Sequence, residues 1–534
     1  PVTHLKRRTF EVLRKFVASG GKVIADTLLP VEFLETPENG AVEDVKKLFG
    51  VDPLKRLTEF RNGSERWRVV SKGKKGKVHT FVGKGLHRAK RKEELRNVLR
   101  KCVTADVTIA DEEVFYLHRI KDGHDVYFFV NTTKSEKKGV EVTFERVGRP
   151  GLWNPNTGET NPLPVFEIIK GRLKIQLDFP PSESHVVVLG NGISKPYLTK
   201  SSMTVLSFDG KSVKGSGGRP VVQIAAGKGT KTLRGKAKQP LKPLAPGKPL
   251  TFETEQHNVL CLGSWKMRIE QPGEGNRSGL DVDDSSWLAV TNGAWETQLP
   301  QERDATSYPV ALWYRTAFMI DGMPPALRLI IDGFSGKEHR LFVNGAEVKD
   351  KGTRSYLDAE MKEVDIHRFA HTGRNVIAVR LIVQRRTDGI LDLLKILGPF
   401  ALKKSGNEYV VTTRTGSIKA GDWTKQGYPY FSGTGVYRTE FIIPQKYTDG
   451  RMFFEADCGE DVLEVSVNGS SSHMAPWHPY RIEITDAVRQ GVNSMEIRVT
   501  NSLINILEAV EKPSGLMAAP RLVHEHVYEL ALKP

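Results

Sequence analysis

The chain has 534 residues, 39% of them hydrophobic, and a mean hydropathy of −0.36, which allows about three to five domains with cores of their own and contains no run of about 18 apolar residues that could cross a membrane. The formal net charge of +16 invites a polyanion, but it is concentrated: residues 66–101 hold 14 Lys and Arg against Glu93 and Glu94, residues 200–250 hold 11 against Asp209, and the remainder is mildly acidic. The runs Lys72–Lys77 and Lys84–Lys92 flank an expected strand without interleaved aromatics, so they read as solvated faces or as a docking surface for an acidic partner, and nucleic acid is not expected.

Residues 4–18 have apolar side chains near helical spacing, ending at Gly20-Gly21. Lys22–Ala25 reads as a short buried strand, Val42–Phe49 as a second helix, Val78–Val82 as a strand and Glu93–Cys102 as a helix. This alternation predicts an α/β domain with a parallel sheet over 1–110. Such a domain normally opens on a strand, and the chain starts at Pro1 in a helix, so the expectation is of a longer natural protein.

After about residue 110 the period becomes two. Tyr127–Val130, Val140–Phe144, Leu173–Leu177 and His185–Leu189 predict a small antiparallel domain over 111–192, with a turn at Asn154-Pro155-Asn156-Thr157-Gly158. Residues 193–255, rich in Gly, Pro and Lys, read as a linker or irregular β module.

The rest is an internal repeat over 256–402 and 403–534. Trp313-Tyr314-Arg315, Asn344-Gly345, Val364–Ile366 and Gly373-Arg374-Asn375 are matched in order by Val436-Tyr437-Arg438, Asn468-Gly469, Ile482–Ile484 and Gly491-Val492-Asn493. Tyrosine to Asn-Gly spans 30 and 31 residues, and the last isoleucine to the glycine spans seven in both. Strands broken by Asn-Gly turns predict two antiparallel β-sandwiches of jelly-roll type.

The run Asp422-Trp423 … Gly427-Tyr428-Pro429-Tyr430-Phe431-Ser432-Gly433 … Tyr437-Arg438 … Asn468-Gly469 … Pro479-Tyr480-Arg481 … Gly491-Val492-Asn493 resembles the C-terminal sandwiches of glycoside hydrolase family 106, a family of α-L-rhamnosidases. Val499–Leu503 with Asn505, and Ser514-Gly515-Leu516 with Pro520, extend the resemblance. Leu117-His118-Arg119 … Tyr127–Asn131 and Leu152-Trp153–Glu159 are similar to the family's segment after its barrel, and Phe16–Ile24 to its flavodoxin-like domain. The resemblance implies a multidomain, mostly β protein: a flavodoxin-like α/β domain, a small antiparallel β domain and tandem galactose-binding-like sandwiches. It also implies that two catalytic carboxylates lie on an N-terminal barrel absent from this chain, so no catalytic residue is assigned. The expected function is an accessory, glycan-binding and structural region of such a hydrolase, secreted or periplasmic. The alternative is a stand-alone carbohydrate-binding or scaffold protein. Expected partners are an oligo- or polysaccharide, the missing barrel, and a second copy of the chain.

Trp423, Tyr428, Tyr430, Trp477, His478 and Tyr480 are the candidates for contact with sugar, set against the reading that aromatics in a sandwich form its core. Trp477-His478, in a loop, leads them. His118 and Arg119, placed before a strand pair, could line a pocket facing the barrel. No cofactor is expected. Glu455, Asp457, Glu460 and Asp461 could hold a structural calcium, as could Asp281, Asp283 and Asp284, but solvated loops are the simpler reading. Cys102, Cys261 and Cys458 lack the spacing of a zinc site or disulfide framework.

Overall fold

The computed structural model describes residues 2–26, 28–35, 41–62, 68–72, 77–82, 88–155, 157–227, 229–300, 308–413 and 418–532. The chain is mostly β, with several antiparallel sheets and few helices. It divides into two compact units: residues 1–109 with 142–146 and 170–173, and the remainder. Among the described residues no helix is long and apolar enough to cross a membrane. The side chains of the basic runs Lys72–Lys77 and Lys84–Lys92 lie outside the described residues.

In the first unit, the helix Ala41–Phe49 buries Ala41, Val45 and Phe49, one face at i, i+4, i+8. These pack with Phe10, Leu29, Phe33 and Val51. Asp52 caps the helix Pro53–Asn62, which sequence periodicity did not reveal, through the Leu54 and Lys55 N–H groups at 3.1 and 3.0 Å, with proline at the first helical position. Lys22–Asp26 runs parallel to Lys77–Val82, but Arg68–Lys72 joins the other edge antiparallel, so the sheet is mixed rather than all-parallel. Four residues separate Arg68–Lys72 from Lys77–Val82, far short of the dozen or so a parallel crossover needs.

The second unit opens with a five-stranded antiparallel sheet, in the order Thr160–Pro162, Arg149–Trp153, Ser184–Gly190, His124–Asn131, Val114–Lys121. The last two strands form a hairpin through Asp122-Gly123, both at positive φ. The segment expected as a linker or irregular β module folds around Leu198, Met203, Val213, Val222, Ile224 and Leu530. One of its two sheets is completed by Val527–Ala531 from the far end of the chain. Residues 235–250 then run along the second sandwich as a strap: Leu244 and Leu522 exchange backbone hydrogen bonds, and Tyr447 Oη donates to the Lys242 carbonyl at 2.7 Å. Thr251–Thr254 is already an edge strand of that sandwich, pairing with Gly435–Arg438.

The repeat landmarks share one turn device. Asn344-Gly345 and Asn468-Gly469 have φ of 51° and 88°, and of 53° and 74°, both positive as a two-residue hairpin turn of this kind requires. Asn344 Nδ2 donates to Asn375 Oδ1 at 2.8 Å and to the Phe369 carbonyl at 2.9 Å; Asn468 Nδ2 donates to Asn493 Oδ1 and the Ala487 carbonyl at the same two distances. Asn375 and Asn493, fully buried, return their amides to the carbonyls of His371 and Gly373, and of Arg489 and Gly491. The two copies therefore retain these asparagines to tie a hairpin turn to the neighbouring loop. Buried amides left unpaired would destabilise either sandwich.

Candidate functional site

The tyrosine of each Tyr-Arg pair points into its sandwich core, and the arginine, one residue on, emerges on the sheet's outer face. In the first sandwich that face is covered by the chain itself. Arg315 is fully buried. It donates to Asp284 Oδ2 at 2.8 Å and to the carbonyls of Arg277, Gly279 and Val282 at 2.6, 3.0 and 3.4 Å. Trp287, Trp313, Phe342 and Ala378 pack together, and the Trp287 ring lies 5.8 Å from the Arg315 guanidinium. In the second sandwich Val436, Ser466 and Glu496 stand at the positions matching Trp313, Phe342 and Ala378. Arg438 there is half-exposed, paired with Glu496 at 2.8 Å and Glu253 at 2.5 Å. The uncovered face is a groove of about 600 Å³ whose lining includes Lys248, Thr251, Arg438, Glu440, Ser466 and Glu496. Sequence patterning did not reveal this groove. Its signal was the loss of the aromatics between copies.

The aromatic candidates separate. Trp423 is 1% exposed, its indole Nε1 donating to Tyr437 Oη at 2.5 Å. A side chain on Gly435 or Gly515 would collide with its ring, which explains the small residues of that motif. Tyr428 is buried edge-on to Phe431 and Phe252. Tyr430 is partly buried edge-on to Tyr409, its phenol pushed up to about 12 by burial. Trp423, Tyr428 and Tyr480 are core side chains, and no sugar could stack on them without opening the sandwich.

Trp477 is different: it is 46% exposed. Its loop base is fixed on either side. Leu463–Val465 pairs with His473–Ala475. His478 Nε2 lies 2.7 Å from the Gly459 carbonyl, and Tyr480 Oη donates to the carbonyls of Asp461 and Gly459. An exposed indole on such a base presents a flat apolar surface at small ordering cost.

The acidic run beneath this loop is dispersed. Glu455 takes Arg481 and Arg521, Glu460 pairs with Lys512 and Lys134, and Asp457 accepts the Gly459 N–H. Asp461 is buried, accepts the Gly515 N–H at 2.8 Å, and is pushed up to about 7 by loss of solvent. Asp284 is spent on Arg315 and Asp283 on the Ser285 N–H. Among the described residues no three His, Cys, Asp or Glu side chains come together as a metal site.

His118 and Arg119 lie inside the strand Val114–Lys121, not before it, so the strand period sends them to opposite faces. His118 stacks on Tyr127 at 4.2 Å and meets Asp125 Oδ1 at 2.9 Å. Arg119 faces solvent.

A model of the α-L-rhamnosidase family, glycoside hydrolase family 106, matches residues 41–168. The chain carries a glycoside hydrolase family 106-like region. A protein provisionally named a β-glucuronidase, from Formosa agariphila, is 34% identical over 89 residues, 16% of this chain and 8% of its own length. The structure of a rhamnosidase from Novosphingobium sp. PP1Y aligns over 99% of this chain and 32% of its own, at 17% identity and a TM-score of 0.41. A glycosyl hydrolase family 2 member from Bacteroides cellulosilyticus aligns over 46% of this chain and 32% of its own, at 14% identity and a TM-score of 0.22. The chain thus spans well under half the length of these relatives. The family 106-like stretch includes His118, Arg119 and Trp153 but ends before both sandwiches, where the aromatic candidates lie.

Proposed function

We propose that this chain is the accessory part of a glycoside hydrolase resembling the α-L-rhamnosidases: it binds glycan and supports a catalytic barrel that lies outside it. In this reading the first unit is flavodoxin-like and the two sandwiches are galactose-binding-like jelly rolls. The observation that carries the glycan-binding part is Trp477, an exposed indole on a loop pinned by His478 and Tyr480, in a chain with a family 106-like region. Sugar C–H faces are apolar and stack on such a ring, while neighbouring polar groups meet the hydroxyls. Catalysis is assigned elsewhere because hydrolysis of this kind needs two carboxylates flanking one bond, and the acidic runs at Asp281–Asp284 and Glu455–Asp461 are drawn into separate ion pairs and turns. The expected outcome is saturable binding of rhamnose-containing oligosaccharides without hydrolysis of an aryl rhamnoside above background. Turnover that vanishes when a carboxylate of this chain is changed would overturn the proposal.

A further inference from the structure

His524 and His526 stand where the strand Arg521–Glu525 of the second sandwich passes into Val527–Ala531, the strand that completes a sheet of the preceding module. Their rings meet edge-on, with centroids 4.8 Å apart. Each Nε2 lies on a backbone carbonyl: that of His524 on Asp449 at 2.7 Å, and that of His526 on Gln239 of the strap at 2.9 Å. A carbonyl only accepts, so both rings carry their proton on Nε2 and leave Nδ1 as a bare acceptor. Both Nδ1 atoms are buried, with no hydrogen-bond partner among the described residues.

The first half of the strap is held through this pair and the rings around it. Tyr447 lies edge-on to His524 at 5.7 Å, and its hydroxyl holds the Lys242 carbonyl at 2.7 Å. Tyr528, 6.5 Å from His526, accepts the Lys238 N–H at 3.2 Å. The second half is held elsewhere: the Gly247 N–H donates to the Glu440 carbonyl at 2.9 Å, and Thr439 Oγ1 to the Lys248 carbonyl at 2.8 Å. The charged groups facing the pair are Lys238 and Asp449, which are already joined at 3.1 Å. Glu525, between the histidines in sequence, is committed to Arg481 and Ser216, and Arg451 to Glu483 and Ser216.

Protonation of either Nδ1 adds a cation, and a donor without an acceptor, to a buried contact, beside the other ring and the Lys238 ammonium. We propose that His524 and His526 form an acid-sensitive clasp on the strap. Neutral, they hold residues 238–244 against the second sandwich; protonated, they release them, while residues 247–250 stay in place. Burial, helped by His526 and Lys238, keeps His524 below the ordinary histidine value. The folded state therefore favours the neutral ring. The clasp is at full strength above about pH 6.5, the value of an unperturbed histidine, and is lost as pH falls through the lowered value of the folded state. This inference is independent of the glycan reading.

The test is hydrogen exchange of the full chain at residue resolution, at about pH 7.5 and about pH 5, corrected for the intrinsic effect of pH on exchange. The Lys238 and Leu244 amides, and that of Leu522 which bonds to the Leu244 carbonyl, should lose at least about tenfold in protection at the lower pH, the effect of one pKa unit. Gly247 and the core strand Val462–Val467 should keep theirs. In the double variant His524→Gln and His526→Gln, each side-chain amide can still donate to its carbonyl but does not titrate, so the acid loss should vanish. Should that variant fail to fold, His526→Gln alone, at a partly exposed position, should lose less protection than the parent. Unchanged protection in the parent, an equal loss in the folded glutamine variant, or a loss shared equally by Gly247 and the core strand would overturn the proposal.

Discussion

The two sandwiches share a turn device and differ in what lies over the same sheet face. In the first, the segment ending at Trp287 seals Arg315 beneath it, with four hydrogen-bond acceptors satisfying the guanidinium. In the second, the matching Arg438 sits in an open, charged groove, and the long loop that differs from the first copy carries an exposed tryptophan. What the copies hold in common serves the chain's own folding, and what they do not share is where a partner can be met.

The largest effect should come from the arginine pair. Arg315→Ala removes the fully buried arginine of a hydrogen-bonded ion pair with the partly exposed Asp284 and should cost about 3 kcal/mol in chemical denaturation, whereas Arg438→Ala on the exposed face should cost no more than about 1 kcal/mol. Equal losses would erase the distinction between the two faces. The asparagine device should behave in the opposite manner. Asn375→Ala and Asn493→Ala each strand several buried polar groups and should each cost about 2–3 kcal/mol. A clear inequality would show that the landmarks play different parts in the two copies.

The two sandwiches should also differ in their response to pH. Asp461 belongs to the second sandwich, and the residue at the corresponding distance before Asn344 is Lys337. An aspartate held near 7 in the fold but near 3.9 when unfolded is preferentially protonated in the native state. Its stabilising contribution is full below about pH 4, declines as pH rises, and is gone above about 7. Asp461→Asn should therefore match the parent at pH 4 and exceed it by about 1–3 kcal/mol at pH 8. A gain of equal size at both values would contradict the burial of that carboxyl.

The repeat was legible because hairpin turns demand particular residues: the Asn-Gly pairs, the Gly-x-Asn runs and the alternating strands all follow from local geometry. Non-local pairing was not. Nothing in residues 193–255 announces that their sheet is finished by Val527–Ala531, or that residues 235–250 strap the second sandwich. The helix at Pro53–Asn62 was missed because it buries the polar Arg56 where an apolar stripe would have marked it. For the candidate site, period and motif place Trp423, Tyr428, Tyr480 and Trp477 near one another in the chain, and only the packed structure separates the core rings from the exposed one.

The exposed ring can be tested apart from the core ones. Binding of a rhamnose-containing oligosaccharide to the parent chain and to Trp477→Ala should be compared by calorimetric titration, alongside their melting temperatures. A loss of about 1–2 kcal/mol in binding is expected, the scale of an anchoring aromatic, with a stability change within about 0.5 kcal/mol, as for an exposed position. Undiminished binding, or a large fall in stability, would contradict it.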